Sequence, residues 1–151
     1  MSDQITIFIP HDPRFVPTKE AQHAAVTMLG QLAPRPDDIA SDVDDEVTFR
    51  DCGENFESVA CPNCRRKIDL GRWQGWMSED YSEGSGFCLR SFATSCCATT
   101  VTLNDLVYKW PQGFSRYYLS ARNVGSRLSA ASMGRLEKAL GCKLRTIRQR
   151  I

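Results

Sequence analysis

The sequence predicts an α+β protein in which a layer of strands and helices is interrupted by a long cysteine-rich insert. Short stretches alternating apolar and polar residues occur near both ends and in the middle of the chain, the pattern of half-buried strands. Two stretches with helical spacing lie among them, each followed by a stop signal. Between the halves lies a long segment opened by Cys61-Pro62-Asn63-Cys64 and closed by Cys96-Cys97.

The first alternation sets Ile5, Ile7 and Ile9 against Thr6 and Phe8, giving a strand over Gln4–Pro10 that proline halts. The loop His11–Pro17 leads to Thr18, a suitable helix N-cap because its hydroxyl can accept from an unpaired first-turn N–H. Ala21, Ala25, Met28 and Leu32 then recur at helical spacing, Ala24 and Leu29 widen the stripe, and Pro34 and Pro36 end it. Asp37–Glu46 is acidic and aperiodic, which predicts a solvated loop. Val47 and Phe49 alternate with Thr48 and Arg50 in a second strand that ends near Asp51-Cys52-Gly53.

Beyond the insert, Leu103–Trp110 reads as a short helix capped by Asn104, followed by a turn at Pro111-Gln112-Gly113. Ser115–Val124 is rich in β-formers and places Tyr117, Leu119 and Ala121 on one face of a third strand. A second helix runs from about Ser129 to Leu140, with Met133, Leu136 and Leu140 in its stripe and Gly141 as its terminator. In the tail, Leu144, Ile147 and Ile151 fit a helix, but β-branched residues after a glycine stop favour a strand. The resulting order is that of a ferredoxin-like βαββαβ layer whose central hairpin is replaced by an insert of about residues 56–103. Residues 1–151 then form one domain, with helices on one sheet face and the other open to a partner.

Composition narrows the function. Apolar residues are 42% and charged residues 25%, which is ordinary for a globular chain. No apolar run approaches the roughly 20 residues that span a bilayer, so no membrane partner is expected. Met1-Ser2-Asp3-Gln4 lacks the basic and apolar regions of a signal peptide. Seven cysteines cannot all pair, which points to reduced thiols and a cytoplasmic protein. The net charge of +1 conceals an asymmetry: residues 1–60 hold 12 Asp/Glu against 4 Lys/Arg, and residues 61–151 hold 6 against 15. Such halves can steer charged partners or attract each other within the fold.

The Cys61-Pro62-Asn63-Cys64 spacing lets one tight turn aim two thiolates at one metal ion. A second thiol pair from a distant loop completes a tetrahedral sulfur set for Zn2+. Cys96 and Cys97, separated from Cys64 by 31 residues, are that pair. Four cysteines leave no position for water or substrate, so the site is structural. Here residues 56–103 resemble the zinc-ribbon class, and the chain is similar to small uncharacterised bacterial zinc-ribbon proteins with a CPxC…CC pattern. It departs from the ribbon where Cys96 and Cys97 are adjacent, and Cys88 stands as a substitute ligand. Cys52 and Cys142 read as packing residues.

The resemblance implies, by analogy, a non-catalytic protein-binding module such as an immunity protein neutralising a cognate bacterial toxin. Asp42, Asp44, Asp45 and Glu46 would face a basic toxin domain. The alternative is a nucleic-acid-binding zinc ribbon using Arg65, Arg66, Lys67, Arg72 and Trp73, since cations interleaved with aromatics hold phosphates and stack bases. The same Trp73, with Trp76, also suits packing beneath the lobe. With two histidines, no glycine-rich phosphate loop and no nucleophile elbow, no enzyme is expected.

Overall fold

The structure, a computed structural model, describes residues 2–33 and 35–151. Its elements in chain order are β1 (Gln4–Pro10), α1 (Lys19–Leu32), β2 (Asp38–Arg50), β3 (Ser58–Ala60) and α2 (Leu70–Asp80). The short strands β4 (Tyr81–Ser82), β5 (Gly86–Phe87), β6 (Phe92–Ala93) and β7 (Thr100–Val101) precede a 3-10 turn at Leu103–Asp105. Then come β8 (Val107–Lys109), β9 (Gly113–Arg122), α3 (Ala130–Leu140) and β10 (Leu144–Arg150). Among the described residues the protein is a mixed α+β fold with three helices and a mostly antiparallel sheet.

The main sheet has the order β10-β1-β9-β2-β5-β4. β1 pairs antiparallel with both β10 and β9, and β9 pairs antiparallel with β2. β1–α1–β2 and β9–α3–β10 are therefore two helical crossovers, each with a strand of the other unit between its own two strands. Phe8, Tyr117, Leu119, Ala121 and Leu144 pack on one sheet face against Ala25 and Leu29 of α1 and Leu136 and Leu140 of α3. Ile7, Ile9 and Ile147 bury on the opposite face with Cys52. Each large side chain removed from water in this way contributes roughly 1.5–3 kcal/mol.

The helix ends follow the sequence. Thr18 caps α1 by accepting from Ala21 N–H at 3.1 Å, and Ser129 caps α3 by accepting from Ser132 N–H at 3.1 Å. Gly141 ends α3 in the left-handed region at φ 79°, its N–H bonded to the Glu137 carbonyl. The tail is a strand.

The acidic stretch 37–46 is not a loop. Asp38–Val43 pairs with Tyr117–Arg122, which puts Ile39 and Val43 against the helix-side core despite the many aspartates. Cross-strand hydrogen bonding and alternate burial override a poor local β-propensity. The register slips between Val43 and Thr48, and a bulge there takes up the remaining acids. Arg116 Nε holds the bulge by donating to the Asp44 carbonyl at 3.0 Å. The predicted helix over 103–110 is likewise replaced, by the 3-10 turn and β8. Thr102, not Asn104, makes the capping contact to Asp105, and Tyr108 is drawn into strand pairing opposite Val59.

The insert folds around its own helix. Asp69 caps α2 by accepting from Arg72 N–H at 3.1 Å. Trp73, Trp76 and Met77 face an apolar cluster with Val59, Val101 and Leu103. Val47, Phe49 and Phe114 of the main sheet enter the same cluster, so the insert is welded to β2 and β9. Phe114 lies 5.0 Å, centroid to centroid, from both Phe49 and Phe87.

The charge asymmetry is partly used within the fold. Glu57–Lys109, Asp3–Arg122 and Glu54–Arg150 each join an acid from the first half to a base from the second. They are solvent-exposed pairs, each worth at most about 1 kcal/mol. No helix among the described residues is long and apolar enough to cross a membrane.

The loop after β2 covers the outer edge of β10: Glu54 N–H donates to Arg150 O at 2.9 Å, and Arg150 N–H to Cys52 O at 3.2 Å. Gly53 makes this approach with φ 62°, where a Cβ would run into the Arg150 carbonyl. Gly53→Ala is expected to lower unfolding stability by about 1–3 kcal/mol in urea titration, whereas Gly75→Ala, whose Cβ meets nothing, should not destabilise.

Candidate metal centre

Two tight turns of the insert bring four sulfurs together. The first follows β3: Cys61 N–H donates to Arg66 O at 2.9 Å, and Arg65 N–H returns to Cys61 O at 3.0 Å. Arg65 takes φ 65°, which reverses the chain and turns both thiols inward. The second links β6 and β7 with the same pattern: Thr94 N–H to Thr99 O and Ala98 N–H to Thr94 O, both at 2.9 Å. Ala98, at φ 56°, matches Arg65.

This equivalence explains the adjacent cysteines. Thr94 occupies the place of Cys61, and Cys97 the place of Cys64. The second turn thus has a hydroxyl where a CxxC turn has its first thiol, and Cys96 supplies the missing sulfur. Thr94 is 2% exposed, and its Oγ1 lies 3.7 Å from Cys61 Sγ and 3.6 Å from Cys97 Sγ. Sequence reasoning missed Thr94; aligning the two turns by their fifth residues would have found it.

The four sulfurs lie within 4.8 Å of one another. Cys64–Cys96 is 3.3 Å, Cys61–Cys97 is 3.7 Å and Cys96–Cys97 is 4.0 Å. Thiolates about 2.3 Å from a tetrahedral zinc stand about 3.8 Å apart, so the cage has the size of such a site. The four cysteines are positioned to hold a metal ion, and the all-sulfur donor set is compatible with zinc. Cys61 is buried, Cys96 half-buried, and Cys64 and Cys97 exposed. Cys88 lies outside the cage, where its sulfur accepts from Arg90 at 3.6 Å.

The cage polarises its own thiols. Hydrogen bonds from Asn63 and then Thr94 draw the Cys97 thiol down to about 6, and backbone N–H groups led by Cys64 lower Cys61. At Cys64 a backbone hydrogen bond from Arg66 favours the thiolate, but hydrogen bonding to Cys96 and desolvation outweigh it and push the thiol up to about 11. Without metal, Cys97 and Cys61 therefore give up their protons more readily than Cys64, and metal binding releases the protons that remain. Cys52 and Cys142 lie apart, and burial raises each to about 11, as expected of unreactive packing thiols.

The other candidate residues do not converge on this centre. Asp44 is tied to Arg50 at 2.5 Å, so it is not part of a free acidic face. Asp42 and Asp45 are exposed and Glu46 is half-buried. Arg65, Arg66, Lys67 and Arg72 are exposed around the first turn and the start of α2. Trp73 is a core residue, only 8% exposed, with its indole donating to Tyr108 Oη at 3.3 Å. It packs on Phe56 at 5.3 Å and leaves no open face for a base. Trp76 stacks on Phe92 at 4.5 Å.

No protein-family model matches the chain, and no curated protein or solved structure matches it.

Two outcomes test the cage. Cys96→Ser should reduce bound zinc well below one per chain, and adding Thr94→Cys should restore it, as measured by elemental analysis and chelator competition. Iodoacetamide at pH 7 should label Cys97 before Cys64 in chelator-treated protein, and metal should protect both, as read by peptide mass spectrometry.

Proposed function

We propose that the protein is a non-catalytic protein-binding module in which one zinc ion, held by Cys61, Cys64, Cys96 and Cys97, staples a zinc-ribbon lobe to a ferredoxin-like layer. The single observation that carries this reading is the four-sulfur cage. Four thiolates would complete the coordination of a tetrahedral zinc and leave no position at which a substrate or reactive water would bind. The strand order β10-β1-β9-β2 with two helical crossovers supports the ferredoxin-like assignment.

A basic protein is the partner class that suits the exposed acids of β2, Asp42 and Asp45, with Glu46 beside them. An immunity protein that neutralises a bacterial toxin would use such a surface, a reading that rests on analogy. The exposed cluster Arg65, Arg66, Lys67 and Arg72 favours a second reading, nucleic-acid binding without Trp73. A divalent ion with four thiolates carries a net −2 charge, and these cations also offset that charge locally.

Chelation of the zinc-loaded chain should lower its thermal midpoint by roughly 10 °C or more, since each kcal/mol is worth roughly 2–4 °C at this length. An unchanged midpoint would remove the staple from the proposal. Changing Asp42 and Asp45 to Asn and Glu46 to Gln should abolish co-purification of a basic partner encoded beside the chain. A salt-sensitive gel shift of DNA or RNA, lost when Arg65, Arg66 and Lys67 become Gln, would instead establish the second reading.

A further inference from the structure

A cavity of about 310 Å3 opens on the helix side of the main sheet, remote in sequence from the sulfur cage. Phe8 and Ala121 line it from the sheet, Leu29 from α1, Met133 from α3, and Leu128 from the loop before α3. Its volume is at the small end of ligand pockets, which run from about 300 to 1,000 Å3. Against this apolar lining stand two guanidinium groups, Arg127 from the loop and Arg148 from β10, with Trp110 also at the cavity.

The two arginines have no evident structural employment. Arg50, Arg122 and Arg150 each pair with an acid, Asp44, Asp3 and Glu54 respectively. Neither the Arg127 nor the Arg148 side chain has an ion-pair or hydrogen-bond partner among the described residues, and no acid lines the cavity. Burial and then the Arg127 charge lower the pKa of Arg148, so the two cations work against each other when nothing lies between them. The first turn of α3, adjacent to the cavity through Leu128 and Met133, holds no acid to offset its positive end. Thr6 and Thr146 add hydroxyls beside the cations.

We propose that this cavity binds a small amphipathic anion, an alkyl or aryl group bearing one carboxylate or phosphate, with Arg127 and Arg148 holding the head group. A single anion relieves the repulsion between the guanidiniums and gives both charge-assisted hydrogen bonds. The apolar body then covers Phe8, Leu29 and Met133. The site is independent of the metal reading, because none of its lining residues belongs to the insert's cage.

Calorimetric titration of the metal-loaded full chain tests this with four probes of one length: octanoate, octyl phosphate, octan-1-ol and octylamine. At least one anion should bind saturably at one per chain, with Kd below about 1 mM, and more weakly as salt rises. Preference between octanoate and octyl phosphate identifies the head group. Octanol should bind at least about tenfold more weakly and octylamine more weakly still. Arg148→Gln and Arg127→Gln, the latter on an exposed loop, should each weaken anion binding about tenfold while leaving the circular dichroism and zinc content unchanged. Absence of saturable binding by both anions, equal binding of octanol, or unaltered affinity in both variants would overturn the proposal.

Discussion

The pairing of β9 with β1 on one side and β2 on the other is the constraint that organises the molecule. One strand supplies Tyr117, Leu119 and Ala121 to the core beneath the helices and Phe114 to the core of the insert. The two crossovers interlock through it, because β9 separates β1 from β2 and β1 separates β9 from β10. The same pairing converts an aspartate-rich stretch into strand. Once Asp38–Val43 is held against Tyr117–Arg122, the backbone groups are satisfied and alternate side chains have a core to enter.

The insert solves a different problem. It holds several strands of two or three residues, too short to persist by backbone pairing alone. Aromatic packing around Trp73 and Phe114 supplies one anchor at the sheet end. At the far end, two turns with the same hydrogen-bond pattern face each other and present four sulfurs. The turn backbone specifies two inward positions, and thiols fill both in the first turn. In the second, threonine fills one of them and Cys96 restores the donor count. Thr94 is thereby left buried beside two sulfurs, where its hydroxyl helps hold negative charge.

Electrostatics follow this division. The acids concentrated before the insert and the bases after it meet in several exposed pairs, and Arg50 and Arg116 grip the acidic bulge from the sheet side. Arg145 spans the junction, donating to Asn104 Oδ1 at 3.0 Å and to Gln112 O at 2.9 Å. Part of the charge asymmetry therefore serves to join elements. Arg127 and Arg148 differ in lining one cavity together with no acid beside them among the described residues.

By itself the sequence determined β1, α1, β9, α3 and the strand character of the tail, because each carries a periodic stripe or a capping residue whose effect is local. It also singled out the four cysteines, since a CxxC turn is a local signal and a distant thiol pair has few other uses. The helix at Leu70–Asp80 was missed, although Asp69 is a capping residue and Trp73, Trp76 and Met77 have helical spacing. Tertiary structure alone decided that the acidic stretch is a strand, that Trp73 is core, and that Leu103–Lys109 divides into a turn and a strand. In each case a partner far along the chain, β9, Tyr108 or β3, supplies the hydrogen bonds or apolar contacts. Local preference cannot encode a neighbour that only folding brings into place.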